Sequence, residues 1–81
     1  MRVRVLYFAS FRDAAGRAEE TRDLPPGSRV GDLWTELSGE IPIFGRFPAA
    51  PPVAVNEKYV DSGTVLAEGD EVVFLPPVAG G

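Results

Sequence analysis

Glu71-Val72-Val73-Phe74-Leu75 runs straight into Pro76-Pro77, and the sequence closes four residues later with Val78-Ala79-Gly80-Gly81. Val72 to Leu75 form an unbroken apolar run, as expected for a strand at the centre of a sheet with both faces covered. Leu66-Ala67-Glu68-Gly69-Asp70 supplies the turn that introduces it. Two successive prolines remove two backbone donors and fix φ, so the sheet ladder cannot continue past Leu75. The chain must then leave the sheet in an extended path. The expected division is a folded domain over 1–75 and an extended tail over 76–81.

Upstream, Val3, Val5 and Tyr7 alternate with Arg2, Arg4, Leu6 and Phe8, the period of two expected of a first strand whose faces meet different surroundings. Asp13-Ala14-Ala15-Gly16 reads as a turn, and Ala18 to Leu24 is polar enough to suit only an edge strand. Pro25-Pro26-Gly27-Ser28 breaks the chain. Val30, Leu33, Trp34 and Leu37 then recur at i, i+3, i+4 and i+7, which predicts an amphipathic helix capped by Ser28 or Arg29 and closed at Gly39. Ile41 to Pro52 is rich in proline and apolar residues and reads as an irregular loop pinned to the core. Pro52-Val53-Ala54-Val55, the turn Asn56-Glu57 and Lys58-Tyr59-Val60 read as a hairpin. This order predicts an α+β domain: a mixed β-grasp (ubiquitin-like) sheet with one main helix packed across it.

Composition narrows the function. At 81 residues the chain makes one domain, held together by roughly 4 to 12 kcal/mol, which leaves little room for a strained catalytic site. Twelve acidic residues face eight scattered basic ones, so no footprint for nucleic acid appears. Without Cys or His there is no thiolate nucleophile, no common metal ligand and no side chain titrating near neutral pH. Asp13, Glu19, Glu20 and Asp23 lack the rhythm of a calcium loop and read as solvated charges. No bound cofactor or metal is expected. The opening residues resemble neither a signal peptide nor a membrane span, so the expectation is a cytoplasmic protein that does not engage membranes.

The tail offers chemistry of its own. Six extended residues reach roughly 20 Å, enough to thread a narrow channel in another protein. Gly80 and Gly81 carry no side chain to obstruct that passage. A terminal carboxylate at Gly81 ionises near pKa 3.3 to 3.7 and is a poor acyl electrophile. Adenylation by ATP in a partner turns it into a mixed anhydride, and a sulfur donor then leaves a nucleophilic thiocarboxylate. Terminal glycines by themselves are weak signals, because chain ends are often merely frayed. The strand, Pro-Pro and Gly-Gly together form a more specific pattern.

Phe74-Leu75-Pro76-Pro77-Val78-Ala79-Gly80-Gly81, preceded by Gly69-Asp70-Glu71-Val72, resembles the small-subunit family of molybdopterin synthase, also called molybdopterin-converting factor subunit 1. Phe8-Ala9-Ser10-Phe11-Arg12 and Val53-Ala54-Val55-Asn56 resemble it further. This resemblance implies that an E1-like enzyme using ATP and magnesium adenylates Gly81 and that a sulfurtransferase supplies sulfur. The tail of Pro76, Pro77, Val78, Ala79, Gly80 and Gly81 would then enter the large subunit, where the sulfur passes to a pterin precursor. It also implies that the catalytic lysines belong to the large subunit and that Lys58 is not one of them. Rival readings keep the fold and change the acceptor: a carrier for thiazole, tRNA thiolation or cysteine synthesis, a modifier joined to target lysines, or an interaction domain with an inert tail.

A partner surface follows from alternation. If Val72 and Phe74 face the helix, then Val73, Leu75, Leu6 and Phe8 share the opposite face as an exposed apolar patch suited to docking. The alternative is that the loop bearing Phe44 and Phe47 folds over that patch and covers it. Trp34 is expected in the core, and Arg12 and Arg46 as surface charges or partner contacts.

Overall fold

Val3, Val5 and Tyr7 are buried and Arg2 and Arg4 exposed, so strand β1 (Arg2–Tyr7) has one face in the core and one in solvent. The computed structural model describes residues 1–46 and 51–76. After β1 come helix α1 (Ala9–Ala15), strand β2 (Glu19–Asp23), helix α2 (Val30–Glu40), a 3-10 turn at Phe44–Arg46, and strands β3 (Val53–Val55), β4 (Lys58–Val60) and β5 (Glu71–Phe74). The sheet order is β2-β1-β5-β3-β4. Its β1–β5 pair is parallel and its other pairs are antiparallel, which gives the mixed β-grasp sheet expected for an α+β domain.

Both helices pack on one face of the sheet. Val30, Leu33, Trp34 and Leu37 of α2 meet Val3, Val5, Tyr7, Val53, Val72 and Phe74 in a single apolar cluster. Phe11 of α1 and Phe44 join them. Phe44 is wholly buried, stacked on Trp34 at a centroid distance of 5.1 Å and tilted against Phe11 at 4.7 Å. Trp34 in turn lies 4.9 Å from Phe74. Through Phe44 the loop is pinned to the core on the helix side, so the alternative in which Phe44 covers the opposite sheet face does not hold. Phe47 falls outside the described residues.

Three local expectations need correction, and one choice left open, the cap of the main helix, is decided. Asp13, Ala14 and Ala15 belong to helix α1, and only Gly16 turns, with φ 75° closing the helix by an N–H bond to the Arg12 carbonyl. Helix α2 runs through Gly39 to Glu40 and ends on extended Ile41, because the Ile41 N–H still reaches the Leu37 carbonyl at 2.8 Å. Arg29 rather than Ser28 takes the N-cap position; its N–H donates to the Asp32 carboxylate at 2.8 Å, while the Ser28 hydroxyl donates to the Pro25 carbonyl at 2.7 Å. Strand β5 is central but covered on one face only, since Val73 is half-buried between buried Val72 and Phe74. The hairpin follows its sequence. Asn56 and Glu57 take φ of 51° and 70°, the left-handed pair that a two-residue turn between twisted strands requires.

Under the β2 edge the core is bordered by ions. The Tyr7 hydroxyl donates to Glu20 at 2.6 Å and Arg22 Nε to the same carboxylate at 2.9 Å. Arg22 then clamps Glu40 at the end of α2 with two bonds of 2.6 and 2.8 Å, tying the helix to the sheet edge by a bidentate fork. Burial pushes the Glu20 pKa up, but the hydrogen bonds from Tyr7 and Arg22 outweigh it and hold the carboxyl below its ordinary 4.5. Folding therefore lowers this pKa, and the stability it contributes is present above pH 4.5 and lost as pH falls through the lowered value.

Two stability measurements follow. Phe44→Ala should cost roughly 3–5 kcal/mol in chemical denaturation, and Phe44→Leu distinctly less. Glu20→Gln should destabilise by about 1–3 kcal/mol at neutral pH, because it removes the negative charge and one of the two oxygens that accept from Tyr7 and Arg22. It should also flatten the fall in stability below pH 4.5; an acid profile with undiminished slope would contradict this role.

Candidate functional site

Register decides what shares the open face of the sheet. Leu6 pairs with Val73, Val73 with Ala54 and Ala54 with Tyr59, so these four side chains form one row across β1, β5, β3 and β4. Three strand spacings make that row about 14 Å long. One step further along, Phe8 continues the alternation in extended conformation, at φ −122° and ψ 155°, and is half exposed. Leu75 continues it from Phe74, with its N–H donating to the Pro52 carbonyl at 2.8 Å. Leu6, Phe8, Val73 and Leu75 thus share the helix-free face, as alternation predicts. Among the described residues no element lies over it.

Tyr59 was not legible as part of this surface, yet it is 78% exposed and ends the row. The signal was present: a two-residue turn at Asn56-Glu57 makes Ala54 and Tyr59 partners, and partners share a face.

The other half of this face is ionic. Arg4 pairs with Glu71 and, at 3.4 Å, with Glu19, while Arg2 pairs with Asp23 at 3.1 Å. A shallow groove of about 400 Å³ runs among Arg2, Arg4, Thr21, Asn56, Glu68 and Glu71. Its charges are largely matched within the groove itself. The face is therefore graded, with matched charges where β1 and β5 begin and apolar side chains where they end.

The tail starts at the apolar end. Leu75 makes the last ladder bond among the described residues, and Pro76, half-buried, has no N–H with which to extend it. Pro77, Val78, Ala79, Gly80 and Gly81 lie outside the described residues. Among the described residues no group of acidic side chains is arranged to hold a metal ion, and no helix is long and apolar enough to cross a membrane. What the described surface offers is an apolar platform running up to the root of a proline-led segment.

Residues 5–81 match the ThiS family. The chain belongs to the ThiS family. Among ThiS-like relatives, the molybdopterin synthase sulfur carrier subunit of Chlamydomonas reinhardtii is 35% identical over 83 residues, an alignment covering 100% of both chains. A solved structure from Pyrococcus furiosus, a candidate molybdopterin converting factor subunit 1, superposes with a TM-score of 0.87 at 37% identity, covering 96% of this chain and 99% of that one. Haloferax volcanii small archaeal modifier protein 1 superposes with a TM-score of 0.81 at 26% identity, covering 95% and 98%. The β-grasp sheet of this ThiS-family chain is thus shared with both carrier and modifier relatives.

The two faces make opposite demands on side chains. Tyr59→Ser should change stability by no more than about 0.5 kcal/mol, whereas Phe74→Ser, two strands away and facing the core, should cost roughly 3 kcal/mol or more. Comparable losses at the two positions in urea unfolding would mean that the open face is covered in solution.

Proposed function

We propose that this chain is the sulfur-carrier small subunit of molybdopterin synthase, with Gly81 as the terminal residue whose carboxylate is loaded with sulfur. The end-to-end match to a relative of that name carries the reading. The Gly80-Gly81 close of the sequence and an apolar platform at the root of the tail support it. Residues 1–75 act as the docking body and 76–81 as a slim extended stalk. Leu6, Phe8, Val73, Leu75 and Tyr59 are the surface that the large subunit covers.

The cycle runs in balanced steps. In an E1-like partner holding ATP and magnesium, a Gly81 carboxylate oxygen attacks the α-phosphorus, and pyrophosphate leaves. The outer sulfur of a persulfide on the sulfurtransferase then attacks the acyl carbon, and AMP leaves as the C–O bond breaks. A thiol attacks the inner sulfur of the resulting acyl disulfide, the S–S bond breaks, the thiol and the sulfurtransferase are left joined as a disulfide, and the thiocarboxylate is released. The stalk carries that sulfur into the large subunit, whose lysines and pocket act on the pterin precursor. This chain contributes reach, a substituent-free end and the docking face; it holds no cofactor of its own, and its place is the cytoplasm with its partners.

Intact-mass measurement after incubation with the activating enzyme, Mg-ATP and a sulfurtransferase should show one oxygen replaced by sulfur at Gly81. Removing Gly80 and Gly81, or adding a single residue beyond Gly81, should abolish it. Phe8→Asp and Tyr59→Asp should each weaken binding to the large subunit by about ten- to a hundred-fold. An unsulfurated chain, under conditions that load a known carrier, would refute the proposal.

A second reading is a protein modifier, favoured by the likeness to small archaeal modifier protein 1. The same acyl-adenylate would then be attacked by a target lysine, forming an isopeptide bond. Gly-Gly remnants on lysines of other proteins after digestion would support conjugation; thiocarboxylate without adducts supports the carrier.

A further inference from the structure

Among the described residues three non-glycine positions have φ in the left-handed range: Ala9 at 48°, Asn56 at 51° and Glu57 at 70°. Asn56 and Glu57 form the two-residue turn of the hairpin, whose twist requires that pair, and the Asn56 side chain also donates to Asp70 at 2.9 Å. Elsewhere the chain uses glycine for this conformation, at Gly16, Gly27 and Gly69 with φ of 75°, 88° and 82°. Ala9 has no hairpin to explain it. Unlike asparagine, alanine carries no polar side chain that favours the left-handed well.

The conformation of Ala9 carries the chain from one side of the sheet to the other. Phe8 closes the alternation of β1 on the open face, extended and half exposed. Phe11 is buried on the helix side, 4.7 Å from Phe44 and 5.9 Å from Trp34 by ring centroids. Only Ala9 and Ser10 lie between them. With Ala9 turned left-handed, the Phe8 carbonyl accepts from the Phe11 N–H at 3.0 Å and from the Arg12 N–H at 3.3 Å. On the other side Tyr7 is fixed in the sheet by its N–H bond to the Ala18 carbonyl at 2.8 Å and by its pairing with Phe74. Phe8 is thus clamped between the ladder and the first turn of α1, and Ala9 is the joint of that clamp.

The clamp stands beside the tail. Tyr7 and Phe74 are paired in parallel, so the residues that follow, Phe8 and Leu75, lie one strand spacing of about 5 Å apart. A joint needed only to seat α1 would serve as well with glycine, which reaches the same φ without a Cβ in the way. Glycine would also let the joint swing to negative φ, because it visits both signs about equally. Alanine has one narrow well at positive φ, so contacts that force it there set the joint at a single angle. Strain of this kind is kept where a group must be pre-organised.

We propose that Ala9 is a positioning residue for docking: its left-handed backbone fixes Phe8 on the open face beside the root of the tail, so that the large subunit meets an aromatic anchor already aimed. The inference rests on the carrier reading above and deepens it.

The test uses the 81-residue chain and the large synthase subunit. Ala9→Gly should melt at or above the temperature of the parent chain, since the Cβ strain is gone. Its Phe11 and Arg12 amide hydrogens should exchange about three- to tenfold faster as the joint loosens, and its affinity for the large subunit should fall about three- to tenfold. In a Phe8→Ala background the same substitution should change affinity by less than about twofold, because the anchor that it positions is missing. Ala9→Asn, which keeps a Cβ and tolerates the left-handed well, should bind as the parent does. An Ala9→Gly chain that binds as tightly as the parent would overturn the assignment. So would equal losses with and without Phe8, which would place the effect in α1 rather than in the anchor. Failure of the parent chain itself to bind the large subunit would instead remove the carrier reading, and this inference with it.

Discussion

Side-by-side pairing of β1 with β5 is the constraint on which everything else in this molecule rests. In a strand, neighbouring side chains point to opposite faces, and the pairing of Leu6 with Val73 and Tyr7 with Phe74 brings the two alternations into phase. One face then presents Val5, Tyr7, Val72 and Phe74 to the helices. The other carries exposed Phe8 with half-buried Leu6, Val73 and Leu75. A slip of one residue would exchange these sets, expelling the core and burying Arg4. Core and open face are two outcomes of one register.

Stability and function are consequently held by different residues in the same strands. The aromatic cluster of Phe11, Trp34, Phe44 and Phe74 fixes α1, α2 and the 3-10 turn on the inner face. Where that cluster runs out, under polar β2, the Tyr7–Glu20–Arg22–Glu40 chain of bonds takes over and secures the end of α2. Neither group touches the open face. That separation leaves the surface free to be shaped by its partners, at little consequence for folding.

A carrier has the inverse of an enzyme's problem: its reactive group must leave the body that bears it. Among the described residues the ladder bonds of this strand end with the one from Leu75 to Pro52, and Pro76 has no N–H for another. Beyond it lie the residues that carry the proposed chemistry. Behind it lies the apolar row ending at Tyr59. The platform is thereby graded towards the tail, which suits a protein recognised at one end.

Much of this was legible in sequence, for local reasons. Alternation in β1, the i, i+3, i+4, i+7 stripe of α2 and the Asn56-Glu57 turn each depend on a few adjacent residues. Helix α1 was missed because seven residues with one buried side chain, Phe11, carry too short a period to detect. Gly39 misled because a helix can pass through a glycine when a later N–H still finds its acceptor. Cover over β5 and the place of Phe44 were long-range facts. An apolar run fits a strand buried on both faces as well as a strand awaiting a partner, and a loop phenylalanine can close over either side. By itself, then, the sequence determined the order of the strands and the main helix, the two-faced first strand and the lack of Cys and His in these 81 residues. Only the tertiary structure decided that Phe44 fills the inner face and that Tyr59 completes the outer one. Those outcomes depend on contacts between residues far apart in the chain, which no local pattern encodes.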